Sequence, residues 1–167
     1  MCCFYFGTTY PLIPQATGYY GSFYDTQTQS APNNTPTAMK YRSTALSNGV
    51  TIQNESEILF AHSGVYNIQF SAQIDRTEGS GDAVIDIWLR KNGFDMPYSD
   101  SKITLTANAN KAKIVAAWNF VESILAGNII ELMWSTTDTR IKLVAFPEDL
   151  IIPHPAAPSI ILTITQV

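Results

Sequence analysis

The sequence predicts an all-β chain, an antiparallel sandwich of two packed sheets with about ten strands. Three observations carry that expectation. From Tyr19 onward short apolar alternations follow one another, turn chemistry interrupts them every ten residues or so, and sustained helical spacing is scarce. So many strands exceed what one flat sheet carries without curling or splitting. A chain of 167 residues with 46% apolar and 14% charged content has core material for one main domain and a largely neutral surface.

The clearest strand runs from Val65 to Asp75, where Tyr66, Ile68, Phe70, Ala72 and Ile74 alternate with polar residues. The polar, glycine-rich stretch Glu78 to Asp82 follows, and then Ile85, Ile87 and Leu89 alternate in turn, which predicts an antiparallel hairpin. Asn92-Gly93 reads as a turn and Met96-Pro97 as an irregular connection before Ile103 and Leu105. Lys111 to Glu122 fits both a helical spacing and an alternation of Ile114, Ala116, Trp118 and Phe120; its β-branched and aromatic residues favour strand. After the turn Ala126-Gly127-Asn128, strands are expected over Ile129 to Thr136 and Ile141 to Phe146. A Pro-rich loop, Pro147 to Pro158, leads to the last strand, Ser159 to Val167.

Two of these strands, Ile114 to Val121 and Ile160 to Ile164, are apolar on both faces. A sheet in a sandwich has one inward face, so a second apolar face must meet another chain or remain a patch on the surface. A homo-oligomer is therefore expected. Residues 1–18 differ from the rest: Phe4, Tyr5, Phe6, Tyr10 and Leu12 lie among Gly, Thr and Pro with no sustained alternation, which fits an arm that docks on a partner and equally a strand edge tucked into its own domain. The expected organisation is an arm over 1–18 and a sandwich domain over 19–167.

Chemistry finds little support. His62 and His154 are the two histidines, and neither sits in a pattern that would orient it beside a carboxylate as a base. Asp75, Glu78 and Asp82 cluster around one loop, where solvation of a turn explains acidic residues. Gly79-x-Gly81 lacks the lysine and helix start of a phosphate loop, and Cys2-Cys3 lacks the spacing of a metal site. Trp88, Trp118 and Trp134 read as core or interface anchors before sugar platforms. The expectation is a protein with no enzymatic activity, cofactor or metal. With a net charge of −4 and ten scattered Lys and Arg residues, nucleic acid is an unfavourable partner. No secretion signal is visible at the N-terminus, and no apolar run reaches membrane-spanning length.

The string FAHSGVYNIQF, residues 60–70, resembles the aromatic signature of the tumour-necrosis-factor and complement globular-head jelly rolls. LAGNIIELMW, residues 125–134, resembles the turn and strand of that family, and SIILTI resembles its closing strand. The segments YGSFYD, NIQFSAQID, DIWLRKNG and VAAWNFV are similar to small jelly-roll proteins of tailed bacteriophages. The resemblance spans residues 19–167. It differs at Ile68, where relatives often carry Phe, and at Asn128, where an Asp is common. The resemblance implies a two-sheet antiparallel jelly roll assembled as a homotrimer, with Trp118, Phe120, Ile160, Leu162 and Ile164 at the trimer interface. It further implies a virion protein, made in the host cytoplasm and placed on the capsid surface. There the trimer would decorate and cement the phage head, its arm docked on the major capsid protein. The alternative is a receptor-binding tip of a head or tail fibre recognising host glycans through 78–82 or 147–158.

Overall fold

The computed structural model describes residues 18–76, 78–107 and 112–167; the arm residues Phe4, Tyr5, Phe6, Tyr10 and Leu12 lie outside the described residues. Short strands open the fold: β1 (Tyr20–Asp25), β2 (Gln29–Ser30), β3 (Thr37–Ala38), β4 (Ser43–Asn48), β5 (Val50–Gln53) and β6 (Glu57–Phe60). The long central strands follow: β7 (Gly64–Arg76), β8 (Gly81–Lys91), the short β9 (Phe94–Asp95), β10 (Ser101–Ala107) and β11 (Ala112–Ile124). The chain closes with β12 (Ile129–Thr136), β13 (Ile141–Leu143) and β14 (Ile160–Gln166). All the paired strands are antiparallel, and they form two seven-stranded sheets. The first runs β2-β13-β7-β14-β1-β4, with β11 on the other edge of β7. The second runs β10-β8-β12-β6-β5, with β3 beside β12 and β9 beside β8. The ambiguous segment is thus a strand over its described residues, from Ala112 onward. The strand count exceeds the expected ten because two- and three-residue strands stitch onto the long ones.

The period-2 alternation builds the core directly. Tyr66, Ile68, Phe70, Ala72 and Ile74 of β7 face Ile85, Ile87 and Leu89 of β8 and Ile130, Leu132 and Trp134 of β12 across one continuous apolar cluster. Ile160, Leu162 and Ile164 of β14 join it and are fully buried. Phe60 and Tyr66 meet edge to face with ring centroids 4.7 Å apart, and the Tyr66 hydroxyl donates to the His62 carbonyl at 2.9 Å. Gly64 opens β7, with the Gln166 side-chain amide packed 2.3 Å from where a Cβ would stand. The signature segments around residues 60 and 127 are joined by backbone bonds: Gly127 N–H to the Phe60 carbonyl at 2.7 Å, and Phe60 N–H to the Asn128 carbonyl at 3.1 Å.

One expectation fails. The alternating runs on either side of residues 78–82 do not form a hairpin: β7 lies in the first sheet and β8 in the second. Arg76 braces the crossing. Its buried guanidinium donates to the carbonyls of Ser80 at 2.9 Å and Gly81 at 2.7 Å, turning the chain toward the other sheet, and pairs with Asp138 at 2.8 Å. Arg140 adds a forked pair to Asp138, Nε and Nη2 each donating at 2.8 Å. By contrast, Asn92-Gly93 does make a hairpin, β8 to β9, with positive φ at both residues (51° and 84°).

Two stability predictions follow from these buried polar groups. The Arg140 fork, helped by the Arg76 charge, holds the Asp138 carboxyl at about 2 against a burial that would raise it. Because the folded value lies below the unfolded one, this contribution is complete above about pH 4 and is lost as pH falls towards 2. Asp138→Asn should cost about 3 kcal/mol at neutral pH by leaving Arg76 uncompensated. In urea titrations across pH, the gap between wild type and variant should narrow below pH 4; a constant gap would show that the charge is not its source. The second group is the Tyr41 hydroxyl, which is buried without a hydrogen-bond partner and whose ionisation burial pushes far upward. Tyr41→Phe should therefore raise stability by about 1 kcal/mol, read as a higher urea midpoint at unchanged slope.

Candidate interaction surfaces

The two outward sheet faces differ in charge. On the second sheet Asp82, Asp86, Arg90, Lys102, Glu57 and Glu131 point outward, since they alternate with buried neighbours on β8, β10, β6 and β12. They pair across strands, Lys102 with Asp86 at 2.7 Å and Thr106 Oγ1 to Asp82 at 2.7 Å. The first sheet presents Asn67, Gln69, Ser71 and Gln73 from β7, and Ile161, Thr163 and Thr165 from β14. Val115, Ala117, Asn119 and Val121 of β11 lie opposite the β7 set. Ser22 and Tyr24 of β1 and Leu46 of β4 extend it. No ionisable acid or base stands on this face between Asn67 and Gln73; the Asp75–Lys113 pair at 3.4 Å closes one end. Val115, Val121 and Ile161 are 50%, 58% and 41% exposed.

This geometry revises the residues expected at a trimer interface. Ile160, Leu162 and Ile164 point inward and are spent on the core of the single chain, so β14 turns Ile161, Thr163 and Thr165 outward instead. Trp118 and Phe120 also lie on the core side of β11, because they stand opposite Phe70 and Ile68. As β11 is an edge strand, both remain partly buried at the rim, with Trp118 edge to face on Phe70 at 4.6 Å. The phase was legible too: Ile160, Leu162 and Ile164 form a wholly apolar set, whereas the other phase holds Ile161 with Thr163 and Thr165, so a period-2 reading already places the first set inward.

The residues considered for chemistry are dispersed. His62 stacks on Tyr19 with centroids 3.7 Å apart, and His154 sits in the 147–158 connection with Nδ1 3.0 Å from the Pro155 carbonyl. Asp75 pairs with Lys113 and Asp82 with Thr106, so the acidic cluster is divided among separate partners. Among the described residues no group of three or more His, Cys, Asp or Glu side chains is placed to hold a metal ion. Trp134 is enclosed in the core. Trp88 faces outward in an open groove of about 390 Å³ with Asp86, Asp95, Met96, Asp100, Lys102 and Ser135. Its Nε1 donates to Asp95 at 2.8 Å, as does Arg90 Nε at 2.8 Å, and this pair of donors, Arg90 first, holds the Asp95 carboxyl below its usual range. The groove's tryptophan donor is thus already engaged by the protein.

The 147–158 connection is a hairpin rather than an irregular loop. Phe146 and Ala157 exchange backbone bonds at 2.9 Å, and Asp149 and His154 do so at 3.1 and 3.2 Å. At its root Tyr24, Thr26, Ala145, Phe146, Pro147, Ala156, Ala157 and Pro158 line an apolar pocket of about 340 Å³. Sequence reasoning noted the prolines but missed the hairpin, because its rungs are two isolated backbone pairs with no alternating run to announce them.

No protein-family model matches the chain, and no curated protein sequence matches it. Among solved structures, the crystal structure of murine APRIL at pH 5.0 superposes with a TM-score of 0.57 at 12% identity, covering 90% of this chain and 100% of that one. A likeness at that identity speaks to architecture alone, and the architecture it establishes is a tumour-necrosis-factor-like jelly roll.

Proposed function

We propose that the protein is a non-enzymatic structural protein that assembles as a homotrimer through the outer face of its first sheet and decorates a phage capsid. The observation that carries the assembly is the charge asymmetry. Protein interface cores are depleted in charge, and a sheet face of Val, Ile, Ala, Thr, Ser, Asn and Gln has that composition while the opposite sheet carries the solvating charges. Each added contact that exists only in the assembled shell stabilises it by mass action, so the role requires buried area and no reactive group. The phage setting rests on the resemblance of the segments YGSFYD, NIQFSAQID, DIWLRKNG and VAAWNFV to small jelly-roll proteins of tailed phages. The arm supplies the aromatic residues Phe4, Tyr5, Phe6 and Tyr10 for docking on the major capsid protein.

Light scattering after size exclusion should give a native mass of three times 18.4 kDa. Val121→Lys with Ile161→Lys should reduce it to one subunit without changing the β-sheet circular dichroism, since both positions project outward and are half exposed. A monomeric wild type would overturn the assembly. The capsid role is tested by adding the protein to phage heads stripped of accessory proteins. Saturable co-sedimentation is expected for the full chain and not for one lacking residues 1–18. Equal binding by both forms would overturn the arm's part, and binding by neither would overturn the capsid role.

A further inference from the structure

The hairpin between β13 and β14 ends in three consecutive aliphatic side chains that no other described residue covers. Leu150, Ile151 and Ile152 are 84%, 92% and 71% exposed. The chain leaves the edge of β7 where Val144 N–H donates to the Gln73 carbonyl at 2.8 Å and returns where Gln73 N–H donates to the Ser159 carbonyl at 2.9 Å. Asp149 Oδ1 accepts from the Ile151 and Ile152 amides at 2.8 and 3.2 Å, which fixes the turn. The tip is therefore presented by a hydrogen-bonded prong. Its root stands on the outer face of the first sheet: Lys113, which faces outward opposite Asp75, lies 3.8 Å above the Phe146 ring, and outward-facing Tyr24 lines the root pocket.

Resting on the trimeric reading above, we infer that the prong tip of each copy seats in the root pocket of the next copy around the threefold axis. The pocket and tip match in chemistry, because neither Leu150 to Pro153 nor any pocket-lining residue carries charge. They match in size as well: an apolar cavity of about 150 Å³ takes one benzene-sized group, so one of about 340 Å³ takes two branched aliphatic side chains. A prong cannot fill its own pocket. The two backbone rungs, three residues apart, hold the tip roughly 10 Å or more beyond the root. A head-to-tail contact of this kind closes into a ring when the rotation between copies closes, and the prong root lies on the same face that the trimer would bury. A lipid surface is the poorer occupant, since residues 147–158 contain Glu148 and Asp149 and no Lys or Arg.

The test uses the full chain with Cys2→Ser and Cys3→Ser, so that introduced thiols are the only ones. Ile151→Cys with Ala157→Cys should yield covalent trimers on non-reducing gels, while either substitution alone should yield none. Separately, Leu150→Ser with Ile151→Ser and Ile152→Ser, all solvent-facing, should leave the circular dichroism intact and raise the concentration at which the trimer dissociates at least tenfold. A wild type of trimeric mass that gives no cross-link and whose tip variant dissociates as the wild type does would overturn the prong and leave the trimer standing. An intrachain disulfide in the paired variant would overturn it equally. A monomeric wild type would instead remove the trimeric reading and this inference with it.

Discussion

The fold depends on β7, a thirteen-residue strand paired along both edges. One edge carries β11 over its whole length; the other carries β14 and then β13 in line. Because side chains alternate with period 2, the register of this one strand decides which residues of three neighbours enter the core and which meet solvent. A shift by one residue would place Asn67, Gln69 and Ser71 against Leu89 and Trp134. The apolar set Tyr66, Ile68, Phe70, Ala72 and Ile74 makes that slip prohibitively costly, and so fixes the outer face with the same certainty as the inner one.

The outer face left by that register is neutral, and the chain concentrates its outward sheet charges on the other side. Polar groups such as Gln69 and Thr163 can be buried if they find hydrogen bonds in a partner, whereas a lone charge there would be costly to desolvate. Asn119 already shows the local habit, donating to Asn67 Oδ1 at 2.9 Å across the β7–β11 pair. The ends of the sandwich are handled differently. Buried Arg76, Asp138 and the exposed Arg140 form a hydrogen-bonded charge cluster where the chain crosses between sheets. At the same end buried Asp25 accepts from Gln29 Nε2 at 3.0 Å and the Gln27 amide at 2.9 Å, and pairs with Arg42. Apart from Asp75, Lys113 and Lys142 at one end of the first sheet, the outward sheet charges lie on the second sheet.

The prong joins these themes. Its insertion point is opposite Gln73, the last neutral position of the outer face before the Asp75–Lys113 pair. The backbone interrupts the β7 edge for an excursion of its own and then resumes pairing in β14. The excursion is held by two backbone rungs, the Asp149 turn and the Lys113–Phe146 contact. Contact with another copy is the physical reason inferred for keeping it.

By itself the sequence determined the strands and the class of fold. The alternations at Val65 to Asp75 and Ile85 to Arg90, the Asn92-Gly93 turn and the Gly127 turn are local chemistry, set by side-chain period and backbone freedom within a few residues. It also determined that some strands have a second apolar face. The phase of β14 was legible as well, since Thr163 and Thr165 alternate with Ile160, Leu162 and Ile164. Only the tertiary structure decided which sheet each strand joins, because β7 and β8 pair with strands distant in sequence rather than with each other, and such pairing leaves no local mark. It alone turned a Pro-rich connection into a hairpin with an apolar tip, since two backbone rungs between residues eleven and five positions apart leave no periodic mark on the sequence.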